Sequence, residues 1–231
     1  MDTLSRKIKT FVLRSGRMTE SQKENYEHLK EKWVIPFEKK LLDIDSCFLK
    51  KQDLVIEIGF GMAKATSLIA QENPTTNYLG IEVHKAGVAK LLSEIEMHSL
   101  QNVRILEHDA LEVLEYMIPD NSVSAFHVFF PDPWPKKKHH KRRFMLRPNT
   151  GLLAKKLKKD ACIYMATDWE DYAYHALEEL TATEGLKNKY EDLKNSLLGF
   201  APKQEWRPET GFEKKGKNAN RAIFDLVFVK S

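Results

Sequence analysis

The sequence predicts an α/β fold built on a mostly parallel sheet. From Asp53 onward, short apolar runs alternate with helical stretches, the pattern that gives parallel strands joined by right-handed crossovers. Acidic residues and glycines recur at or just past the ends of those runs: Glu57 to Gly61, Glu82, Asp109, Asp132 and Asp168. In open α/β sheets, ligands bind outside the carboxyl ends of the strands, so these residues define one candidate edge.

The elements follow in order. Residues 1–18 are basic without a clear apolar period and read as a mobile arm. Thr19-Glu20-Ser21-Gln22 opens a helix in capping-box style that runs through Tyr26, Leu29 and Trp33. A short helix is expected from Pro36 to Leu42, with Trp33 and Phe37 packing this region onto the core. Leu54 to Ile58 is the first strand and Ala63 to Glu72 the first crossover helix. Tyr78 to Val83 and Lys85 to His98 form the next pair, then Val103 to His108 and Leu111 to Met117. Val123 to Phe130 is the fourth strand, 149–158 a helix, and Ala161 to Ala166 the fifth strand, ending at Thr167-Asp168. Phe200 to Asn220 reads as a long polar loop, a rarity in compact domains that is often functional. Ala222 to Val229 is the final strand.

Composition narrows the class. The 231 residues can bury a sizeable core, and 42% hydrophobic content is ordinary. No apolar run nears the ~20 residues of a membrane span. No secretory signal is evident, and the two cysteines, Cys47 and Cys162, form no disulfide framework or zinc site, so a reducing cytoplasm is expected. His139-His140 lacks further ligands at metal spacing, and no metal is expected. The net charge of +4 is concentrated: residues 136–143 hold six Lys/Arg and no acid. Arg6, Lys7, Lys9, Arg14 and Arg17 form a second cluster, and Lys214, Lys215, Lys217 and Arg221 a third. Such patches attract polyanions, here nucleic acid rather than a membrane, because no amphipathic anchor accompanies them.

The fourth strand leads into Pro131-Asp132-Pro133-Trp134-Pro135. Proline fixes φ and disfavours α geometry in the residue before it, so Asp132 and Trp134 are expected on an extended, stiff peptide. Gly59-Phe60-Gly61 lets the backbone turn tightly and approach a ligand. A full dinucleotide fingerprint would place a third glycine where Lys64 stands. Glu82, 21 residues beyond Gly61, can accept from ribose hydroxyls, and His108-Asp109-Ala110 can place Asp109 against an adenine amino group. A nucleoside without pyrophosphate, S-adenosylmethionine, therefore fits better than NAD.

These residues resemble the bacterial tRNA (guanine-N7)-methyltransferases from about Arg14 to Val229. The likeness is carried by Glu57 to Met62, Leu79 to His84, His108-Asp109-Ala110, Phe129 to Trp134, Lys141-Arg142-Arg143, Ala166 to Trp169 and Thr210 to Glu213. Ala63 replaces a glycine common in the family, and Lys138 stands where arginine is usual. The resemblance implies a Rossmann-like class I methyltransferase, with a seven-stranded, mostly parallel sheet whose last strand is antiparallel. Residues 1–50 would be a basic arm with short helices on the core, and 51–231 the methyltransferase domain. The cofactor set is Glu57, Gly59, Gly61, Glu82, Asp109, Ala110 and Asp132, with Asp132 also in the active site. Lys136, Asp168, Thr210, Gly211, Phe212 and Glu213 are implied to contact substrate. Lys138, His139, His140, Lys141, Arg142 and Arg143 are implied to meet RNA. The expected partner is tRNA, bound by a monomer or homodimer. Methylation of another RNA base and a non-catalytic RNA-binding role on the same fold are the alternatives.

Overall fold

In the computed structural model, residues 8–13, 18–191 and 198–231 are described. The cations Arg6, Lys7, Arg14 and Arg17 lie outside them. Seven strands form one sheet: β1 (Asp53–Ile58), β2 (Thr76–Ile81), β3 (Val103–Leu106), β4 (Val123–Phe129), β5 (Leu157–Thr167), β6 (Leu186–Asn188) and β7 (Phe224–Lys230). Their order is β3-β2-β1-β4-β5-β7-β6. The first five are parallel, and β7 runs antiparallel to both β5 and β6. The chain leaves β1 toward β2 and β3, then returns to place β4 on the opposite side of β1. That reversal opens a crevice at the carboxyl ends of β1 and β4.

Helices cover both faces because successive strand residues point to opposite sides. Leu54, Ile56, Leu79 and Phe126 face one way, against Val113 and Leu114 of α4 (Ala110–Tyr116), Leu153 of α5 (Asn149–Lys156) and Tyr172 and Ala176 of α6 (Glu170–Thr181). Val55, Tyr78 and Val103 face the other way. They meet Ile69 of α2 (Lys64–Glu72), Leu91 and Leu92 of α3 (Lys85–Met97), and Tyr26 and Trp33 of α1 (Glu20–Trp33). The capping box at Thr19 and Gln22 starts α1 as the sequence implies.

Four expectations change. No helix forms between Pro36 and Leu42. Ile35 N–H donates to Ile105 O (2.8 Å) and Leu42 N–H to Met117 O (2.8 Å), so this stretch starts against the β3 edge, which Val34 and Ile35 cover, and runs on to Met117, just past the helix at 110–116. Phe37 stacks on His108 with ring centroids 3.7 Å apart. β5 begins at Leu157, because its register against β4 shifts between Val123 and Ala125 and carries the polar Lys158-Lys159-Asp160 along. The long polar loop contains a helix, α7 (Gly211–Asn218), which buries only Glu213 and Gly216 and so leaves no apolar period. Residues 8–13 of the basic arm dock on the carboxyl edge of the sheet, with Trp134 Nε1–H donating to Thr10 O at 3.1 Å.

Candidate active site

β1 ends in a loop whose backbone requires glycine. Gly59 (φ 73°) and Gly61 (φ 55°) are left-handed. Ala63 is also left-handed at φ 64°. Glu82, just past β2, clamps this loop. Its Oε2 accepts from Gly61 N–H (2.9 Å), and its Oε1 from Val83 N–H (2.7 Å) and His84 N–H (3.0 Å). A carboxylate has about four acceptor positions, so one remains for a ligand donor.

Asp109 follows β3 and caps α4, accepting from Leu111 N–H at 3.1 Å. Its other oxygen receives Lys9 Nζ of the arm at 2.8 Å. Glu57 lies within β1 and faces inward, buried, where it accepts from Thr66 Oγ1–H at 2.8 Å. Burial, opposed by that hydrogen bond and reinforced by the Glu82 charge, pushes its carboxyl up to about 7.

Past β4, two bulky residues adopt left-handed backbone: Phe130 (φ 54°) and Trp134 (φ 47°). The extended geometry expected at Trp134 is therefore corrected. Its indole is held by Thr10 O and by the Arg142 guanidinium 3.8 Å above the ring, contacts that offset the strain. Asp132, between them, is exposed and makes no hydrogen bond or ion pair among the described residues.

The basic run forms a 3-10 turn, Lys137–Arg142. Lys136, Lys138 and Lys141 are exposed and His139 is half-buried against Trp134. His140 lies half-buried near Asp171, with Nε2 3.8 Å from its carboxylate. Arg142 donates to the arm carbonyls of Lys9 (2.9 Å) and Phe11 (2.7 Å). Arg143 turns inward with 1% exposure, donating to Pro133 O (3.0 Å) and to Asp171, so it presents no charge to RNA in this arrangement. The pairing holds the Asp171 carboxyl below its ordinary range. The order of residues alone gives no sign of which cation in the run turns inward.

Asp168, past β5, pairs with Arg221 at 2.8 Å. Gly216 of α7 packs on it so closely that a Cβ there would lie 2.9 Å from its side chain. Thr210 caps α7, accepting from Glu213 N–H at 3.1 Å. Glu213 is buried, paired with Arg207 (2.6 Å), Lys203 (2.9 Å) and Lys217 (3.0 Å). Burial raises its carboxyl, but these three cations outweigh that and hold it low.

Gly59, Gly61, Glu82, Ala110 and Asp132 come together around one cleft of ≈ 200 Å³, with Ile58, Ile81, Val83, Phe130 and Phe212. Thr10 and Phe11 of the arm also line it. Asp109 opens instead onto an adjoining groove with Lys9, Phe11 and Arg142. Glu57, Lys136, Asp168, Thr210, Gly211 and Glu213 do not line the cleft. Phe130, Thr10 and Phe11 line it without having been expected from the sequence. Phe130 adjoins Asp132 in the chain, which is a usable signal, whereas nothing in the residue order signals the docking of the arm.

A family model described as a putative methyltransferase matches residues 51–226. A tRNA (guanine-N(7)-)-methyltransferase of Francisella philomiragia is 46% identical, covering 97% of this chain and 96% of its own. One of Treponema pallidum is 42% identical over 98% and 97%. The chain belongs to the tRNA (guanine-N7)-methyltransferase family. Among solved structures, the 16S rRNA methyltransferase KamB shares the fold at TM-score 0.51 and 15% identity, covering 95% of this chain and 98% of that one. A precorrin-6y C5,15-methyltransferase of Geobacter metallireducens aligns at TM-score 0.51 and 17% identity, over 79% and 83%. The sheet order with antiparallel β7 between β5 and β6 is thus a methyltransferase architecture, bearing out the fold expected from sequence. Among the described residues, no helix is long and apolar enough to cross a membrane.

Proposed function

We propose that this chain transfers the methyl group of S-adenosylmethionine to N7 of a guanine in the variable loop of tRNA. The observation that carries the reading is Asp132, an exposed carboxylate without a partner among the described residues, lining the same cleft as Gly59, Gly61 and Glu82. The donor set suits the cofactor. Ile58, Ile81, Val83 and Ala110 offer apolar walls to a purine, the remaining acceptor position of Glu82 suits a ribose hydroxyl, and two carboxylates suit a sulfonium. When bound, S-adenosylmethionine supplies an electrophilic methyl on positively charged sulfur.

Guanine N7 carries an exposed lone pair, so no proton must leave before attack and no strong general base is needed. The new N7–C bond replaces the C–S bond, and the positive charge moves from sulfur to the purine. In this reading Asp132 accepts from guanine N–H groups and stabilises that developing cation. Fixing the base in line with the methyl, with water excluded, can supply roughly 7–11 kcal/mol. Lys136, Lys138 and Lys141, exposed beside Asp132 in sequence, suit the phosphates of the RNA.

The test is incubation of unmodified tRNA with labelled S-adenosylmethionine, followed by borohydride reduction and aniline cleavage. A cut in the variable loop is expected. Labelling without such a cut, or a cut elsewhere, overturns the substrate assignment.

A further inference from the structure

Arg207 is a charged side chain with 2% exposure, in a segment whose sequence reads as loop. Its Nε–H and one terminal N–H donate to the two oxygens of Asp225 on β7 (2.9 and 3.1 Å). The other terminal nitrogen donates to Glu213 on α7 (2.6 Å). The same guanidinium lies 5.8 Å from the Phe129 ring centroid and 5.9 Å from that of Phe130. One side chain therefore ties the end of β4 to β7 and to α7.

What it ties is the mouth of the cleft. Phe130 directly precedes Pro131-Asp132 and is held at φ 54°, a costly conformation for a bulky residue. Phe212 precedes Glu213 and is 56% exposed. Both line the cleft, with ring planes 17° from parallel and centroids 6.5 Å apart. A planar base stacked between two rings needs about 7 Å, twice the ~3.4 Å stacking rise of nucleic acid, so rings whose centroids lie 6.5 Å apart must part slightly to admit one. Aromatic faces are the usual platforms for an unstacked base.

We infer that Arg207 is a positioning residue that holds Phe130 and Phe212 as the two faces of a slot for the target purine. The inference rests on the proposed methyl transfer to guanine. Arg207 acts through Glu213 and through the ring of Phe130, and it does not line the cofactor cleft itself. A lysine at this position would keep the charge but could not reproduce the fork that serves Asp225 and Glu213 together.

The experiment compares wild type, Arg207→Lys, Phe212→Ala and the double variant. It measures kcat and KM for tRNA, S-adenosylmethionine affinity by calorimetry, and Tm. Arg207→Lys is expected to lower kcat/KM for tRNA at least 30-fold with cofactor Kd within twofold of wild type. Phe212→Ala should produce a loss of similar size, and the double variant little more than either, because both remove one slot. Multiplying losses in the double variant, or a cofactor Kd that weakens in step with Tm, would make Arg207 a fold-stabilising residue only. Wild-type kinetics in Arg207→Lys would also overturn the inference. Should Arg207→Lys not fold, Glu213→Gln, which removes the charge by which Arg207 holds α7 and Phe212, carries the same expectation against Phe212→Ala. A wild-type enzyme that fails to methylate tRNA guanine would sink the proposed function itself, whereas an active wild type with unaffected variants sinks only the slot.

Discussion

Lys9 Nζ lies 2.8 Å from Asp109 Oδ2, across 100 residues of sequence, so the basic arm closes on an acid that the family resemblance assigns to the cofactor. Arg142 and Trp134 hold the same strap by its backbone carbonyls. A ligand amino group seeking Asp109 must compete with Lys9. Half-exposed ion pairs contribute only about 0.2–1 kcal/mol. Lys9→Ala is therefore expected to tighten S-adenosylmethionine binding by about two- to fivefold in calorimetry. Weaker binding would show that the arm belongs to the bound pocket rather than competing for it.

Asp132 has no internal partner among the described residues, so its removal should leave the fold intact and strike the reaction. Losing one electrostatic stabiliser of this kind typically costs 10²–10³ in rate. Asp132→Ala should lower single-turnover methyl transfer at least 100-fold, with a much smaller change in cofactor Kd. Near-wild-type transfer in a tritiated-methyl assay would remove Asp132 from the site.

The cations after Pro135 should divide into two behaviours. Replacing Lys136, Lys138 and Lys141 with alanine should weaken tRNA binding and flatten the log–log salt dependence by about 0.7–0.9 for each phosphate no longer neutralised. Tm should barely move, because all three are exposed. Arg143→Ala should do the reverse, losing about 1–3 kcal/mol of stability by breaking the ties to Pro133 and Asp171, with the salt slope unchanged. Calorimetric melts and salt titrations separate the two, and an Arg143→Ala variant with full stability and a flatter slope would return that residue to the RNA surface.

That division marks where sequence reading stops. The strands are legible because Leu54 to Ile58 and, apart from Ser124, Val123 to Phe129 are buried, which forces mostly apolar runs broken only by Glu57, Ser124 and His127. The glycine loop is legible because left-handed backbone selects glycine. Arg143, Arg207 and Lys9 are not, since their roles are set by partners 28, 18 and 100 residues away. α7 escapes notice because an ion-pair network on Glu213, rather than an apolar stripe, anchors it.

Glu57 gives a stability test that is independent of turnover. Its folded-state pKa, raised by burial to about 7, exceeds the ordinary value of 4.5. Between those two pH values the folded protein keeps a proton that the unfolded chain has lost. Stability from this group is thus fully present below pH 4.5, falls as pH rises toward 7, and is level above that. At 1.36 kcal/mol per pH unit the total is about 3 kcal/mol, an upper bound for one carboxyl. Wild-type melts alone would blur this, because His127 has the opposite sense. Burial lowers its folded pKa to about 3, so its contribution is lost as pH falls below 6.5. The informative quantity is the difference between wild type and Glu57→Gln at each pH, in which His127 cancels. Glutamine resembles the protonated acid and keeps an acceptor for Thr66 Oγ1. The variant should match wild type within about 1 kcal/mol at pH 5 and exceed it by about 1–3 kcal/mol at pH 8 in urea denaturation. An equal difference at both pH values would mean that Glu57 does not change its charge between them.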